Sequence, residues 1–289
     1  MKFSFSSSDK IVDLPEEICP YLHDINRMIQ SQIGFENIYT IILFGSYARE
    51  DHTKNSDIDL LIVIKDQFFS EHSKSFREKL EKISLGIELK HGLKFQRTGY
   101  ITAVLNVVEK TTGMFVSHFI CSKSDWENQI FHKIFNVNHF LSSLIAPGDI
   151  VLKNMSKSYM ILYKEQKTPD IKQSISFIQL LKSLIMTELI AVGSIVIFPL
   201  WNNIVKYSLE SFKWSIRNSY LYLFDKHASM KSMRNFFTKT AISQGFFDKF
   251  LRLRHKFERD VKFALRCPFE IIKTYFAAIR YKKVIRRNT

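Results

Sequence analysis

The sequence has few of the residues that build disulfide frameworks and metal clusters. It contains three cysteines, Cys19, Cys121 and Cys267, and none of them forms a CxxC pair. Thiols so few and so scattered exclude a disulfide-stapled domain and a cysteine-based zinc site. Residues 1–17 also lack the continuous apolar core of a secretory signal. We therefore expect no export and a reducing, cytoplasmic location.

Acidic residues are scarce in the last third of the chain. Residues 201–289 contain 20 Lys and Arg but six Asp and Glu, whereas residues 1–200 contain 22 of each, so the last third carries the whole formal charge of +14. A cationic region of this kind favours an anionic partner: nucleic acid, nucleotide phosphates or an anionic membrane surface. A merely solubilising surface is the alternative. A composition of 46% hydrophobic and 24% charged residues excludes a disordered chain.

Long apolar runs are also scarce, with one exception. The segment "SLIMTELIAVGSIVIFPLW", residues 183–201, is close to the roughly 20 residues that span a bilayer. However, Glu188 lies inside it and Pro199 ends its helical part, so we expect a buried core helix and no integral membrane segment.

The most informative stretch is "TIILFGSYAREDHTKNSDIDLLIV", residues 40–63. It predicts a strand, a Gly-Ser corner that opens a short helix, a loop, and a second strand that begins with Asp-x-Asp. Gly45 lets the backbone approach a ligand closely, and amides at a helix start favour a phosphate. Asp57 and Asp59 are two residues apart, so a strand points both carboxylates to one face while Ile58 and Leu60 face the core.

Two neighbouring carboxylates repel each other unless a cation lies between them. Their hard oxygen atoms suit Mg²⁺ or Mn²⁺, which also bridges to nucleotide phosphates. Taken singly, the Gly-Ser pair is more typical of an ordinary turn, and the two aspartates are more typical of a solvated strand entry. Their conjunction favours a metal and polyphosphate site.

In order and spacing, "FGSYAREDHTKNSDIDLLIV" resembles the nucleotidyltransferase superfamily typified by DNA polymerase beta, whose signature is a GS turn followed by a DxD strand. The resemblance covers residues 37–64 firmly. It implies that Gly45 and Ser46 hold a nucleoside triphosphate, with ATP favoured, and that Asp57 and Asp59 bind the catalytic metal.

The resemblance also implies a third carboxylate on a later strand, which polarises the acceptor hydroxyl. Glu109, at the end of the predicted strand, is the candidate. Strand alternation places Asn106 on the other face, and Asn106 could occupy this position instead, where it would be a poor base. Arg49 follows the Gly-Ser corner and is either a phosphate ligand or a solvated helix residue.

The pattern of predicted elements gives the fold class α+β. We expect a nucleotidyltransferase-type mixed sheet flanked by helices in residues 1–148, followed by an all-helical, basic domain in residues 149–289 that binds the acceptor or a partner. The "APGD" turn at 146–149 sets this boundary. After Asp125 the strand signals fade.

These features predict a Mg²⁺-dependent enzyme that transfers a nucleoside monophosphate from a nucleoside triphosphate to an acceptor hydroxyl and releases pyrophosphate. The acceptor is RNA, protein or a small molecule. The basic stretch of residues 201–289 favours a nucleic acid acceptor and would repel a cationic aminoglycoside. A non-catalytic nucleotide- or nucleic-acid-binding regulatory protein is the first alternative, and peripheral membrane attachment through the basic helices is the second.

Overall fold

The computed structural model describes residues 2–5, 12–53, 56–71, 74–92, 117–164, 174–197 and 205–288. Contacts between residues divide the chain into two compact units. The first takes the described parts of residues 1–52, 56–140 and 158–171. The second takes those of residues 53–55, 141–157 and 172–289.

The first unit combines short strands with helices. In chain order over the described residues, its elements are β1 (Lys2–Phe3), β2 (Val12–Asp13), α1 (Cys19–Gln32), β3 (Ile38–Phe44), α2 (Gly45–Ala48), β4 (Asp59–Ile64), α3 (Asp66–Glu71), α4 (Lys74–Lys90), β5 (His118–Ser122), α5 (Lys123–Glu127), α6 (Phe131–Ile134) and β6 (Met160–Tyr163). Two helices lie between α6 and β6: α7 (His139–Ile145), which begins in the first unit, and α8 (Gly148–Lys157), which belongs to the second.

A four-stranded mixed sheet with the order β5-β4-β3-β6 forms the centre of the first unit. Strand β3 is antiparallel to both of its neighbours, and β4 is parallel to β5. The β3–β4 register pairs Phe44 with Asp59, so the last residue of one strand lies opposite the first residue of the next. The predicted mixed sheet with flanking helices and a helical rear is confirmed.

Helices α1 and α4 cover one face of this sheet. Ile25 of α1 and Leu80 of α4 share a buried cluster with the alternate β4 residues Leu60, Ile62 and Ile64. Because side chains alternate along a strand, Leu61, Val63 and Asp59 belong to the opposite face. The first carboxylate of β4 therefore points away from the main core.

The edge strand β6 is absent from the sequence prediction. Residues 160–163 pair with β3 although they follow the predicted boundary at 148/149, and β6 is only four residues long. A strand this short gives no clear alternation, so its sequence carries little signal. The division into domains of 1–148 and 149–289 stays a prediction, to which the structure adds that the chain returns to the sheet after α8.

A polar triad lies inside the core of the first unit. The Nδ1 atom of His118 is 2.8 Å from the Glu88 carboxylate, and the Tyr21 hydroxyl hydrogen-bonds to Nε2. A neutral ring in this position can donate from Nδ1 to Glu88 and accept the Tyr21 hydroxyl proton at Nε2. Burial lowers the pKa of His118 to about 3, which agrees with this arrangement.

The second unit is helical over its described residues. Besides α8, it contains α9 (Phe177–Ile197), α10 (Val205–Phe224), α11 (Met230–Thr240), α12 (Gln244–His255) and α13 (Val261–Asn288). Most residues of α10 are buried, and α9 and α13 both pack against it. Hydrogen bonds join the three helices: Ser183 to Tyr275 at 2.7 Å, Asn218 to Ser183 at 2.7 Å, and Ser194 to Ser208 at 2.6 Å.

The expectation of a buried core helix for residues 183–201 is wrong for one face. Of the residues that the structure describes, Phe177–Val196 is the one helix long and apolar enough to cross a membrane, a weak indication by itself. Its inner face is buried, but six apolar side chains of the outer face are exposed: Ile178, Leu181, Ile185, Leu189, Val192 and Val196. Helical periodicity alone does not show which apolar face meets a neighbour.

The His118 triad predicts an acid-sensitive step in stability. The ordinary pKa of histidine is 6.5, so between pH 6.5 and about 3 the unfolded chain binds a proton that the folded chain does not. The contribution of neutral His118 to the free energy of unfolding is complete above pH 6.5. It is lost as the pH falls below 6.5, at up to about 1.4 kcal/mol per pH unit.

Urea unfolding across this pH window measures the effect. We expect His118→Gln to flatten the dependence of the unfolding free energy on pH, whereas His23→Gln, at an exposed histidine, keeps it. An unchanged slope in His118→Gln would show that His118 does not titrate in this way.

Candidate active site

The Gly-Ser corner is where the backbone leaves the sheet. Phe44 is extended (φ −135°, ψ −164°), and Gly45 turns the chain into α2 with φ +75°. This positive φ is a region that residues with a side chain rarely adopt. Ser46 follows and is buried, and its carbonyl accepts a 3.1 Å hydrogen bond from the Asp51 amide. The Gly-Ser corner is therefore held by strand β3 on one side and by this hydrogen bond on the other.

The carboxylate of Asp59 lies directly against Gly45. A Cβ atom placed on Gly45 would come within 1.8 Å of Asp59 Oδ2 and 2.7 Å of its Cγ. The β3–β4 register explains this closeness, because Phe44 and Asp59 are cross-strand partners and Gly45 follows directly. Glycine is needed here both for its conformation and for its missing side chain. The structure thus brings two of the predicted site residues together.

Asp57 precedes β4, which begins two residues later than predicted, at Asp59. The expected alternation is nevertheless present, since Asp57 and Asp59 are half-buried while Ile58 and Leu60 are buried. Burial raises the pKa of the Tyr47 hydroxyl, and the charges of Glu17 and Asp57 raise it further. Asp57 is therefore within electrostatic reach of the helix that follows the Gly-Ser corner.

Arg49 directly follows α2 as its C-terminal cap, and its Nε atom lies 3.6 Å from Asp51 Oδ1. Both side chains are largely shielded from solvent, with exposed fractions of 13% and 18%. The arginine is thus neither a fully solvated helix residue nor committed to a phosphate. Its role as a phosphate ligand stays a prediction.

The third carboxylate is not located. Glu109 and Asn106 both lie outside the described residues. Among the residues that are described, no three His, Cys, Asp or Glu side chains come together as metal ligands. Asp57 and Asp59 supply hard oxygen atoms of the kind that Mg²⁺ prefers, and a third ligand has to come from elsewhere in the chain or from the nucleotide.

A stacked pair of rings beside the corner was not predicted from the sequence. The rings of Tyr47 and His52 stack at 4.4 Å with an interplanar angle of 12°, and His52 Nε2 lies 3.6 Å from Glu17. These contacts tie the loop after α2 to the segment before α1. The sequence signal was only the position of Tyr47, directly after Ser46.

Comparison with known families agrees with this geometry. Residues 24–110 match the family of polymerase beta nucleotidyltransferases, a stretch that includes the Gly-Ser corner and both aspartates. The match to this stretch confirms the predicted resemblance and indicates an enzyme of the nucleotidyltransferase class.

Two relatives extend the comparison. A candidate protein adenylyltransferase of Methanocaldococcus jannaschii is 29% identical over 82 residues, which cover 28% of this chain and 74% of that protein. The solved structure of a spectinomycin adenyltransferase from Enterococcus faecialis, with ATP and spectinomycin, has a TM-score of 0.52 and 11% identity. That similarity covers 90% of this chain and 98% of the other, and at this identity it concerns the fold.

The contact between Gly45 and Asp59 predicts a specific stability defect. We expect Gly45→Ala to lower the free energy of unfolding by at least about 1–2 kcal/mol, because alanine is strained at positive φ and its Cβ meets the carboxylate. Gly86→Ala is the matched control. It lies in α4 with nothing within 4 Å of an added Cβ, so it should stabilise the chain by about 0.5–1 kcal/mol.

A double-mutant cycle separates strain from contact. In an Asp59→Ala background the carboxylate is gone, so Gly45→Ala should cost less than in the wild type, as measured by urea unfolding. An equal cost in both backgrounds would contradict the close approach of these two residues.

Proposed function

We propose that this chain transfers the adenylyl group of ATP to an acceptor hydroxyl. The observation that supports it most strongly is the packing of the Asp59 carboxylate against Gly45, in a stretch that matches the polymerase beta nucleotidyltransferases. ATP is favoured over other nucleotides because one relative is a candidate adenylyltransferase and the neighbour of known structure was solved with ATP.

In this proposal Gly45 and Ser46 hold the triphosphate, and Asp57 and Asp59 hold a divalent cation. The bare glycine Cα admits the Asp59 carboxylate, which a side chain at position 45 would displace, and the half-buried aspartates present their oxygen atoms beside the Gly-Ser corner. Bound Mg²⁺ or Mn²⁺ would neutralise these carboxylates and the phosphate charge. The fit rests on the donor set and on the Asp59 carboxylate, which lies where a Cβ at position 45 would be.

The transfer balances as an in-line displacement. The acceptor oxygen forms a bond to the α-phosphorus, the bond from that phosphorus to the β-phosphate bridging oxygen breaks, and pyrophosphate leaves. The acceptor proton passes to a base, for which Glu109 remains the proposed residue. Arg49 is the proposed ligand of a phosphate oxygen, in which case it exchanges its contact with Asp51 for the nucleotide.

The charge of the rear of the chain bears on the acceptor. With 20 basic and six acidic residues, the stretch 201–289 would repel a polycationic small molecule and attract an RNA end. The candidate protein adenylyltransferase among the relatives supports a protein hydroxyl as well. We propose an RNA or protein acceptor, bound in a reducing cytoplasm where the three cysteines, all buried and unbridged, stay reduced.

Labelled ATP tests the reaction type and the site together. With Mg²⁺ and total cell RNA or protein, label from the α-phosphate should appear in the acceptor, and label from the γ-phosphate should not. We expect Asp57→Asn and Asp59→Asn each to lower transfer at least about a hundredfold, because metal and phosphate then lose their main ligands. Glu78→Gln removes an exposed carboxylate of α4 and should leave transfer unchanged.

Ribonuclease and protease treatment of the product shows which acceptor carries the label. Transfer of the γ-phosphate would contradict the proposal, and so would full activity of Asp59→Asn. Chelation of divalent ions should abolish transfer, and added Mg²⁺ or Mn²⁺ should restore it.

A further inference from the structure

The helical unit has an apolar outer surface made by two of its helices. On α9 the six exposed residues named above recur at helical spacing, and on α13 four more do so: Leu265, Phe269, Ile272 and Phe276. Several are well exposed, with fractions of 60% for Leu189, 66% for Phe269 and 63% for Phe276. We call these ten residues the α9/α13 face. Exposed apolar sets of this size mark interaction surfaces.

The two helices lie side by side on α10, so their exposed rows are neighbours. Ser183 and Thr187 of α9 both hydrogen-bond to the hydroxyl of Tyr275 on α13, and the Cys267 thiol of α13 donates to the Ser208 carbonyl of α10. These polar contacts occupy the inner sides of both helices. The exposed apolar rows lie on the outer sides of the two helices.

One edge of this face is cationic. Helical spacing places Lys262, Arg266, Lys273 and Arg280 along one flank of the exposed row of α13. The single carboxylate of α13, Glu270, is buried and already lies 2.8 Å from Arg266 and 3.4 Å from Lys273. The flank therefore keeps a net positive charge.

The α9 side adds almost no negative charge. Its single carboxylate, Glu188, is half-buried, and burial raises its pKa to about 7, so it is partly neutral at physiological pH. An apolar row bordered by Lys and Arg is the pattern of a helix that lies in the interface of an anionic bilayer. A second copy of the chain would instead bring two cationic flanks together, and these would repel each other. Protein surfaces that bind nucleic acid are polar and positively charged, so they do not require exposed Leu, Ile and Phe.

We propose that the α9/α13 face docks on the surface of an anionic lipid bilayer. The exposed aliphatic and aromatic side chains enter the headgroup region, while the cationic flank contacts lipid phosphates. The helices lie in the interface and do not cross it, because the inner side of α9 carries Ser183, Thr187 and Ser194, which are hydrogen-bonded within the protein.

Co-sedimentation of the full chain with vesicles tests the proposal. We expect binding to phosphatidylcholine vesicles that contain phosphatidylglycerol, little binding to phosphatidylcholine alone, and weakening by salt. Leu189→Ser with Leu265→Ser should reduce the affinity about tenfold, because two leucines no longer enter the bilayer. Leu85→Ser with Leu89→Ser removes two exposed leucines of α4 and should leave the affinity unchanged.

A second pair of variants isolates the charge. Lys262→Gln with Arg280→Gln should weaken binding roughly thirtyfold. Lys231→Gln with Lys239→Gln, on exposed positions of α11, has the same net charge and should bind as the wild type does. Circular dichroism of all variants reports folding.

Asp59→Asn should retain full vesicle binding, so a failure of the transferase proposal is distinguishable from a failure of this one.

Several results would overturn the proposal. The first is equal binding to neutral and anionic vesicles, and the second is no binding to either. The third is an equal loss of affinity in a variant of the α9/α13 face or its cationic flank and in the matched control. A dimer in light scattering that dissociates in the Leu189→Ser, Leu265→Ser variant would assign the face to a second copy of the chain. Binding of RNA that depends on the two leucines would assign it to nucleic acid.

Discussion

The close approach of Asp59 to Gly45 is the constraint on which the candidate site depends. It follows from the β3–β4 register, which places Phe44 opposite Asp59, and from the positive φ that turns the chain immediately afterwards. Any side chain at position 45 would occupy the position of the carboxylate. The fold therefore couples the residue that turns the backbone to the residue that supplies the charge.

The two faces of the sheet have different roles, since one packs into the core and the other carries the carboxylate of the candidate site. Leu60, Ile62 and Ile64 face α1 and α4 and belong to the buried cluster, whereas Asp59 begins the opposite face. The same alternation that anchors β4 thus points its first carboxylate away from the core. The neutral His118, held between Tyr21 and Glu88, lies on the core side, since it pairs in register with Leu60. It is a polar component of the core, outside the proposed site.

Much of the front of the chain could be predicted because its signals are local. A Gly-Ser pair after an apolar strand and an Asp-x-Asp at the next strand specify turn, register and face within about twenty residues. Strand β6 could not be predicted, because it is short and pairs with a strand more than a hundred residues earlier. The contact of Arg49 with Asp51 and the stacking of Tyr47 on His52 depend on side-chain positions that no spacing rule encodes. The exposed side of α9 was missed for a related reason: an apolar helix looks the same whether one or both of its faces are covered.

The central claim is that Gly45, Ser46, Asp57 and Asp59 together hold a metal ion and the polyphosphate bound to it. A crystal structure with Mn²⁺ and a non-hydrolysable ATP analogue tests it most directly, since manganese is located by anomalous scattering. The account predicts a manganese peak at coordination distance from carboxylate oxygens of Asp57 and Asp59, with the triphosphate against the backbone of Gly45 and Ser46. Nucleotide or metal bound elsewhere, with these aspartates in contact with neither, would contradict it.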